Sequence, residues 1–258
     1  MPTDFARFDA RGYPVLDVRE GYARWVGTYE ETVEDAMDLH VLAELRAPWS
    51  GRAADLACGT GRTGAWLRAQ GVAEVDGVDL TPEMLARAEQ RGAHASLRLA
   101  DIAETGLDSG SYDLVVSSLV DEHLADLRPL YREAFRLARP GGCFVTVGLH
   151  PFFIMAAGMP THFTTAEGEH FAITTHVHLP SDHIAAGLGS GWQLAEFREE
   201  VVGDAWVALK PKWERLRGTP SPPPTSGAGD RPSTGVRPSG RGAQGRVSGP
   251  TSRPRLSS

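Results

Sequence analysis

Apolar residues recur along this chain with two periods, and the order of those periods predicts its fold. Tyr22, Trp25, Val26 and Tyr29 fall at i, i+3, i+4 and i+7, so Tyr13 to Arg46 reads as helical, closed by Pro48 and Gly51. Ala53 to Ala57 is a short apolar run, Arg62 to Gln70 is helical before Gly71, and Val75 to Leu80 is strand-like. Thr81-Pro82-Glu83 opens a helix that runs to Arg91, with Thr as cap, Pro in the first turn and an acid at the positive dipole end. Ser96 to Leu99, Tyr112 to Ser117 and Cys143 to Leu149 predict three more strands, with a helix over Leu124 to Ala138. Strand and helix alternate over about 100 residues. That rhythm predicts an α/β fold with a doubly wound, mostly parallel sheet.

After Leu149 the rhythm changes. Pro151 to His162 is apolar and irregular, Phe171 to Leu179 strand-like, Ser181 to Leu188 helical, Trp192 to Val202 strand-like and Asp204 to Leu216 helical. From Gly218 to Ser258, 24 of 41 residues are Gly, Pro or Ser, which cannot offset the entropy of ordering and predicts disorder. The chain therefore divides into residues 1–50 (helical lid or flank), 51–150 (nucleotide-binding core), 151–217 (substrate-side insertion and C-terminal part of the sheet) and 218–258 (disordered tail).

Charge sharpens this division. The net charge of −7 sums a tail at +5 (six Arg, one Asp) and a body, residues 1–217, at −12. An acidic body argues against nucleic acid or an anionic membrane as partner. No run approaches the roughly 18–20 apolar residues of a membrane span. Met1 to Gly12 holds four charged residues and no apolar core, unlike a signal peptide, so a cytoplasmic location is expected. Two Cys give no disulfide framework.

The strongest local signal is Asp55-Leu-Ala-Cys-Gly59-Thr-Gly61-Arg-Thr-Gly64, a G-x-G-x-x-G between a strand and a helix. Asp79 ends the next strand, 20 residues after Gly59, where a carboxylate can accept both hydroxyls of a ribose. A dinucleotide and S-adenosylmethionine (SAM) both suit this architecture. Asp55, just before the glycines, would repel a pyrophosphate but can reach an amino group. Asp101 and Ile102, after the third strand, can take an adenine's amino edge and ring. Both Lys lie at positions 210 and 212, so residues 1–209 contain no Tyr-x-x-x-Lys. These features favour SAM over a nicotinamide-dependent oxidoreductase.

Asp55 to Gly61, Val78-Asp79-Leu80-Thr-Pro-Glu-Met84-Leu85, Ala100-Asp101-Ile102, Tyr112 to Ser118 and Leu137-Ala-Arg-Pro-Gly-Gly142 together resemble the successive motifs of class I SAM-dependent methyltransferases of the small-molecule "type 11" kind. The resemblance covers about residues 20–200 and implies a seven-stranded, Rossmann-like sheet. It implies that Asp55, Ala57, Gly59 and Gly61 line the methionine end of SAM, with Asp79 on the ribose. Leu80 and Met84 would sandwich the adenine, Asp101 and Ile102 hold its amino edge, and Ser117 face the methionine. Tyr22 and Trp25, on a face shared with Tyr29, resemble a lid helix. Ala57 stands where the family has Gly, and its methyl is expected to be tolerated. The family closes its sheet with an antiparallel hairpin. Trp192 to Val202 can be one strand of it, but for the returning strand only Ala205 to Leu209 qualifies, and the tail is not expected to supply it.

Methyl transfer needs an oriented acceptor more than a fixed triad. Candidate bases are His123, after the fourth strand, and His150, after the fifth. Six of nine His lie between His150 and His183 without a metal-ligand spacing, so no metal is expected. Phe152, Phe153, Met155, Met159 and Phe163 are candidate walls of an acceptor pocket. The expected function is methyl transfer from SAM to a small molecule. The alternatives are a NAD(P)-dependent oxidoreductase and a non-catalytic SAM-binding protein.

Overall fold

In β4 (Tyr112–Ser118), Val115 belongs to one apolar cluster and Leu114 and Val116 to another. That period of two puts a core on each face of a sheet and explains why the strand reads as one unbroken apolar run. The computed structural model that shows this describes residues 3–5, 8–32, 37–209, 211–220 and 225–231. The other strands are β1 (Arg52–Leu56), β2 (Glu74–Asp79), β3 (Ser96–Leu99), β5 (Ala138–Gly148), β6 (Gln193–Arg198) and β7 (Thr225–Asp230). Their order across the sheet is β6-β7-β5-β4-β1-β2-β3, with β1 to β5 mutually parallel and β7 antiparallel to both its neighbours. The chain reverses its direction of winding between β1 and β4, and ligands bind beyond the carboxyl ends of strands at such a switch.

Helices α1 (Val18–Trp25), α2 (Tyr29–Thr32), α3 (Met37–Glu44), α4 (Arg62–Gln70), α5 (Pro82–Arg91), α6 (Arg128–Leu137), α7 (Pro151–Ala157), α8 (Pro180–Gly189) and α9 (Asp204–Leu209) flank the sheet. On one face Leu130, Ala134 and Leu137 of α6 pack with Val115, Phe144 and Trp192. On the other, Val41, Leu42 and Leu67 pack with Leu114, Val116 and Val145. No helix among the described residues is long and apolar enough to cross a membrane.

Three expectations need correction. Tyr13 to Arg46 is not one helix: Val15–Leu16 is a short strand, and separate helices follow. Asp17 starts α1 by accepting the Glu20 N–H at 2.9 Å, so an Asp-x-x-Glu cap overrides the longer apolar period. Pro151 to Ala157 is helical, with His150 as its N-cap. Finally, the tail does supply the returning strand. Residues 225–230 pair with Cys143 to Gly148 on one side and with Gln193 to Arg198 on the other. Two strands otherwise left with open edges supply backbone partners, which any sequence without an ill-placed proline can satisfy. Residues 232–258 lie outside the described residues.

The segment between α7 and α8 forms a cover rather than part of the main sheet. His170–Ile173 pairs in parallel with Val15–Leu16 and antiparallel with His162–Thr164, while His176–Val177 pairs with Thr3–Asp4. Ile173 packs on Gly21 of α1, which holds that helix over the carboxyl ends of the strands.

Candidate cofactor and active site

Asp79 organises the site. Its Oδ2 accepts the Gly59 N–H at 2.8 Å and its Oδ1 accepts the Thr81 N–H at 2.8 Å, tying the β1 turn to the start of α5. Burial pushes its pKa up, and the two backbone N–H donors oppose that by favouring the carboxylate. The turn itself is left-handed: Gly59 has φ +52° and Gly61 φ +83°. Ala57 is at φ +57°, a conformation that costs a residue with a Cβ about 1–2 kcal/mol. The methyl is accommodated sterically but at the price of strain. Leu119, at φ +55°, is strained at the end of β4. Both residues border one cavity.

That cavity holds about 210 Å³ and lies over the switch point. Ala57, Gly59, Asp79, Leu80, Met84, Asp101 and Ile102 line one wall. Met84 and Ile102 are buried and Leu80 is partly exposed, which makes an apolar slot. Asp101 accepts the Ala103 N–H at 2.8 Å through Oδ1, so its carboxyl is fixed at the rim. Tyr22, Tyr29, Leu119, Val120, His123 and Leu124 line the opposite wall.

His123 brings an imidazole to that second wall. Its Nδ1 is 2.8 Å from the Thr174 carbonyl, which can only accept, so Nδ1 bears the hydrogen. Burial lowers the ring's pKa to about 4, outweighing the Thr174 carbonyl, so at neutral pH Nε2 is an unprotonated acceptor. The Tyr22 hydroxyl, 2.9 Å away, donates to it. Burial also raises the Tyr22 pKa well above its ordinary value, so the phenol stays protonated. Behind His123, burial and the neighbouring Asp121 push the Glu122 carboxyl up.

Several expected site residues lie elsewhere. Ser117 is buried away from the cavity with its Oγ unpartnered, and Ser118 faces the cavity instead. The Ser118 hydroxyl donates to Asp38 at 3.1 Å, and Asp38 also binds Arg62 at 3.0 Å. Asp55 does not line the cavity; its Oδ2 is 3.0 Å from His94 Nε2 behind the turn. Gly61 starts α4 beneath the cavity rather than lining it. Trp25 is buried, stacked on Phe163 at 5.4 Å, and supports Tyr22 from behind. His150 caps α7 through the Phe152 N–H and pairs with Glu199 at 2.9 Å, away from the cavity. None of Phe152, Phe153, Met155, Met159 and Phe163 lines it either; Phe163 and Met155 build the cover's small cores. Sequence reasoning missed His94, whose ring fills the space left by Gly61, Gly64 and Gly77. It also missed the wall residues Val18, Thr81, Leu119, Val120 and Leu124.

The sheet order is Rossmann-like, and the glycine turn and the Asp79 clamp lie at its switch point. Comparison with known proteins narrows this further. A model described as a methyltransferase domain matches residues 54–146. A malonyl-[acyl-carrier protein] O-methyltransferase of Salmonella typhimurium is 39% identical over 88 residues, 34% of this chain and 35% of that protein. Human methyltransferase-like protein 27 is 35% identical over 125 residues, 43% of this chain and 51% of that protein. The chain thus spans about a third to a half of the length of these curated relatives. A SAM-dependent methyltransferase structure from Mesorhizobium loti aligns with a TM-score of 0.59 and 26% identity, covering 74% of this chain and 96% of that one. Residues 54–146 are thus similar to a methyltransferase domain, and the fold as a whole is similar to that of the SAM-dependent methyltransferase structure.

Proposed function

We propose that this protein transfers the methyl group of SAM to a small-molecule acceptor. The observation that carries the reading is Asp79, whose two carboxylate oxygens are oriented by backbone N–H donors beside an apolar slot. That arrangement fits a ribose flanked by an adenine. Asp79 would hold the ribose hydroxyls, Leu80, Met84 and Ile102 the adenine faces, and Asp101 its amino edge. The Ala57–Gly59 turn would approach the methionine end. Bound there, SAM supplies a methyl group on a positively charged sulfur.

The chain's own residues do the rest. Tyr22 and Tyr29 on α1 and α2 close the cavity against water. His123 Nε2 accepts a hydrogen bond from the acceptor and then its proton. A proton held there puts back one positive charge beside Asp121, whose carboxylate favours the protonated ring against the burial that opposes it. A cytoplasmic enzyme acting on a small molecule, without nucleic acid or membrane, is consistent with the acidic body. Labelled-methyl transfer from SAM into a small-molecule library tests the reading. Incorporation that is blocked by S-adenosylhomocysteine is the expected result, and absence of SAM binding overturns it.

A further inference from the structure

We infer that the acceptor is an uncharged molecule with an apolar body that offers one O–H or N–H to His123, and is not a carboxylate. This rests on the SAM reading above and goes beyond it by naming the acceptor's chemistry.

The first argument is the fixed tautomer. The Thr174 carbonyl holds the hydrogen on Nδ1, so His123 can offer the cavity only the lone pair of Nε2. Tyr22 holds that lone pair as a donor, and the acceptor's O–H or N–H would displace it and take the same place. A carboxylate oxygen there would set lone pair against lone pair. The second argument is charge. The charged side chains lining the cavity are Asp79 and Asp101, and no Lys or Arg joins them among the described residues. Arg62 lies behind the wall and is bound to Asp38 at 3.0 Å. Apart from the sulfonium that bound SAM would bring, an anion taken from water into this cavity would lose hydration and find no cation among the lining residues. The third argument is the wall itself. Val18, Leu119, Val120 and Leu124 present aliphatic surface beside the Tyr22 and Tyr29 rings, which suits an aromatic or alicyclic body.

Two size-matched probes test this without cofactor. In protein labelled with 15N at histidine, with the His123 signals assigned by His123→Gln, p-cresol is expected to shift the Nε2 resonance while 4-methylbenzoate at equal concentration leaves it in place. The expected difference in affinity is at least about 100-fold. Binding of 4-methylbenzoate as tightly as p-cresol, or no response to either probe, overturns the inference. A second arm reads the product of labelled-methyl transfer. Ethers and methylamines survive mild alkali, whereas methyl esters release labelled methanol. Alkali-stable label is expected, and alkali-labile label overturns the inference. Failure to bind SAM, measured separately by calorimetry, would strike the proposed function itself. An ester product from a protein that binds SAM would strike only the acceptor class.

Discussion

The two walls of the cavity are built in opposite ways. The wall of Ala57, Gly59, Asp79, Leu80 and Met84 comes from turns at the ends of adjacent strands, fixed by a carboxylate that binds two backbone N–H groups. The wall of Tyr22, Tyr29 and His123 is held by side chains meeting across the chain. Tyr22 and His123 are 101 residues apart in sequence, and Thr174, which fixes the His123 tautomer, lies 51 beyond it. On the proposed function the first wall would take the adenine and ribose of the cofactor. The second depends on α1, the cover and the end of β4 arriving together, and it would face the acceptor. Specificity would then reside in the wall that is harder to assemble.

The most drastic way to break the second wall is to remove β7. Thr225 pairs with Gly148 at the end of β5, and Gly148 packs on the Asp121 carboxylate, two residues before His123. Deleting residues 225–258 opens β5 and β6 and is expected to cost several kcal/mol, a large share of the roughly 5–15 kcal/mol that hold a domain folded. Thermal denaturation should show loss of the cooperative transition or a fall in Tm of more than 10 °C. An unchanged Tm would mean that β7 contributes nothing.

His123→Gln separates the walls. Transfer should fall roughly 100- to 10,000-fold while SAM affinity stays within about threefold, because the substitution removes the proton acceptor and leaves Asp79 intact. Equal losses in both would assign His123 to the cofactor.

The same histidine gives the second wall a pH signature. Its pKa lies at about 4 in the fold against about 6.5 ordinarily, so the folded state prefers the neutral ring. That preference stabilises the protein fully above pH 6.5 and is lost as the pH falls toward 4, a difference of about 3 kcal/mol. Glu122, raised by burial, acts in the opposite sense, favouring the fold at low pH and losing that contribution as the pH rises. Urea denaturation of wild type and His123→Gln from pH 4 to 7 isolates the histidine: the variant should lose about 3 kcal/mol less over that range.

The smallest effect belongs to the first wall. Ala57→Gly relieves a Cβ at φ +57° and should stabilise the protein by about 0.5–1 kcal/mol after the entropy of glycine is counted. A modest rise in Tm without loss of SAM affinity is the expected outcome.

The difference between the walls also explains what the sequence revealed. Gly59, Asp79, Met84, Asp101 and Ile102 were visible because their spacing along successive strand–helix turns is their spatial arrangement. Ser117 was expected at the site, but alternation at a strand end decides which of two serines faces the cavity, and Ser118 does. His94 has no motif; the one available signal was that Gly61, Gly64 and Gly77 all leave room for something large. Tyr22 and His123 were named separately, yet no period links residues 101 apart. Thr225–Asp230 lacks alternating apolar residues, because its place is fixed by backbone pairing on both sides.

The central claim is that Asp79 and the slot beside it form a SAM site. Calorimetric titration of the full chain with SAM, repeated with Asp79→Ala, tests it most directly. The account predicts micromolar binding that weakens by roughly 1.5–3 kcal/mol, about 10- to 150-fold, when the charge-assisted bonds to the ribose are lost. Binding of NADH in preference to SAM, or equal SAM affinity in Asp79→Ala, would contradict it.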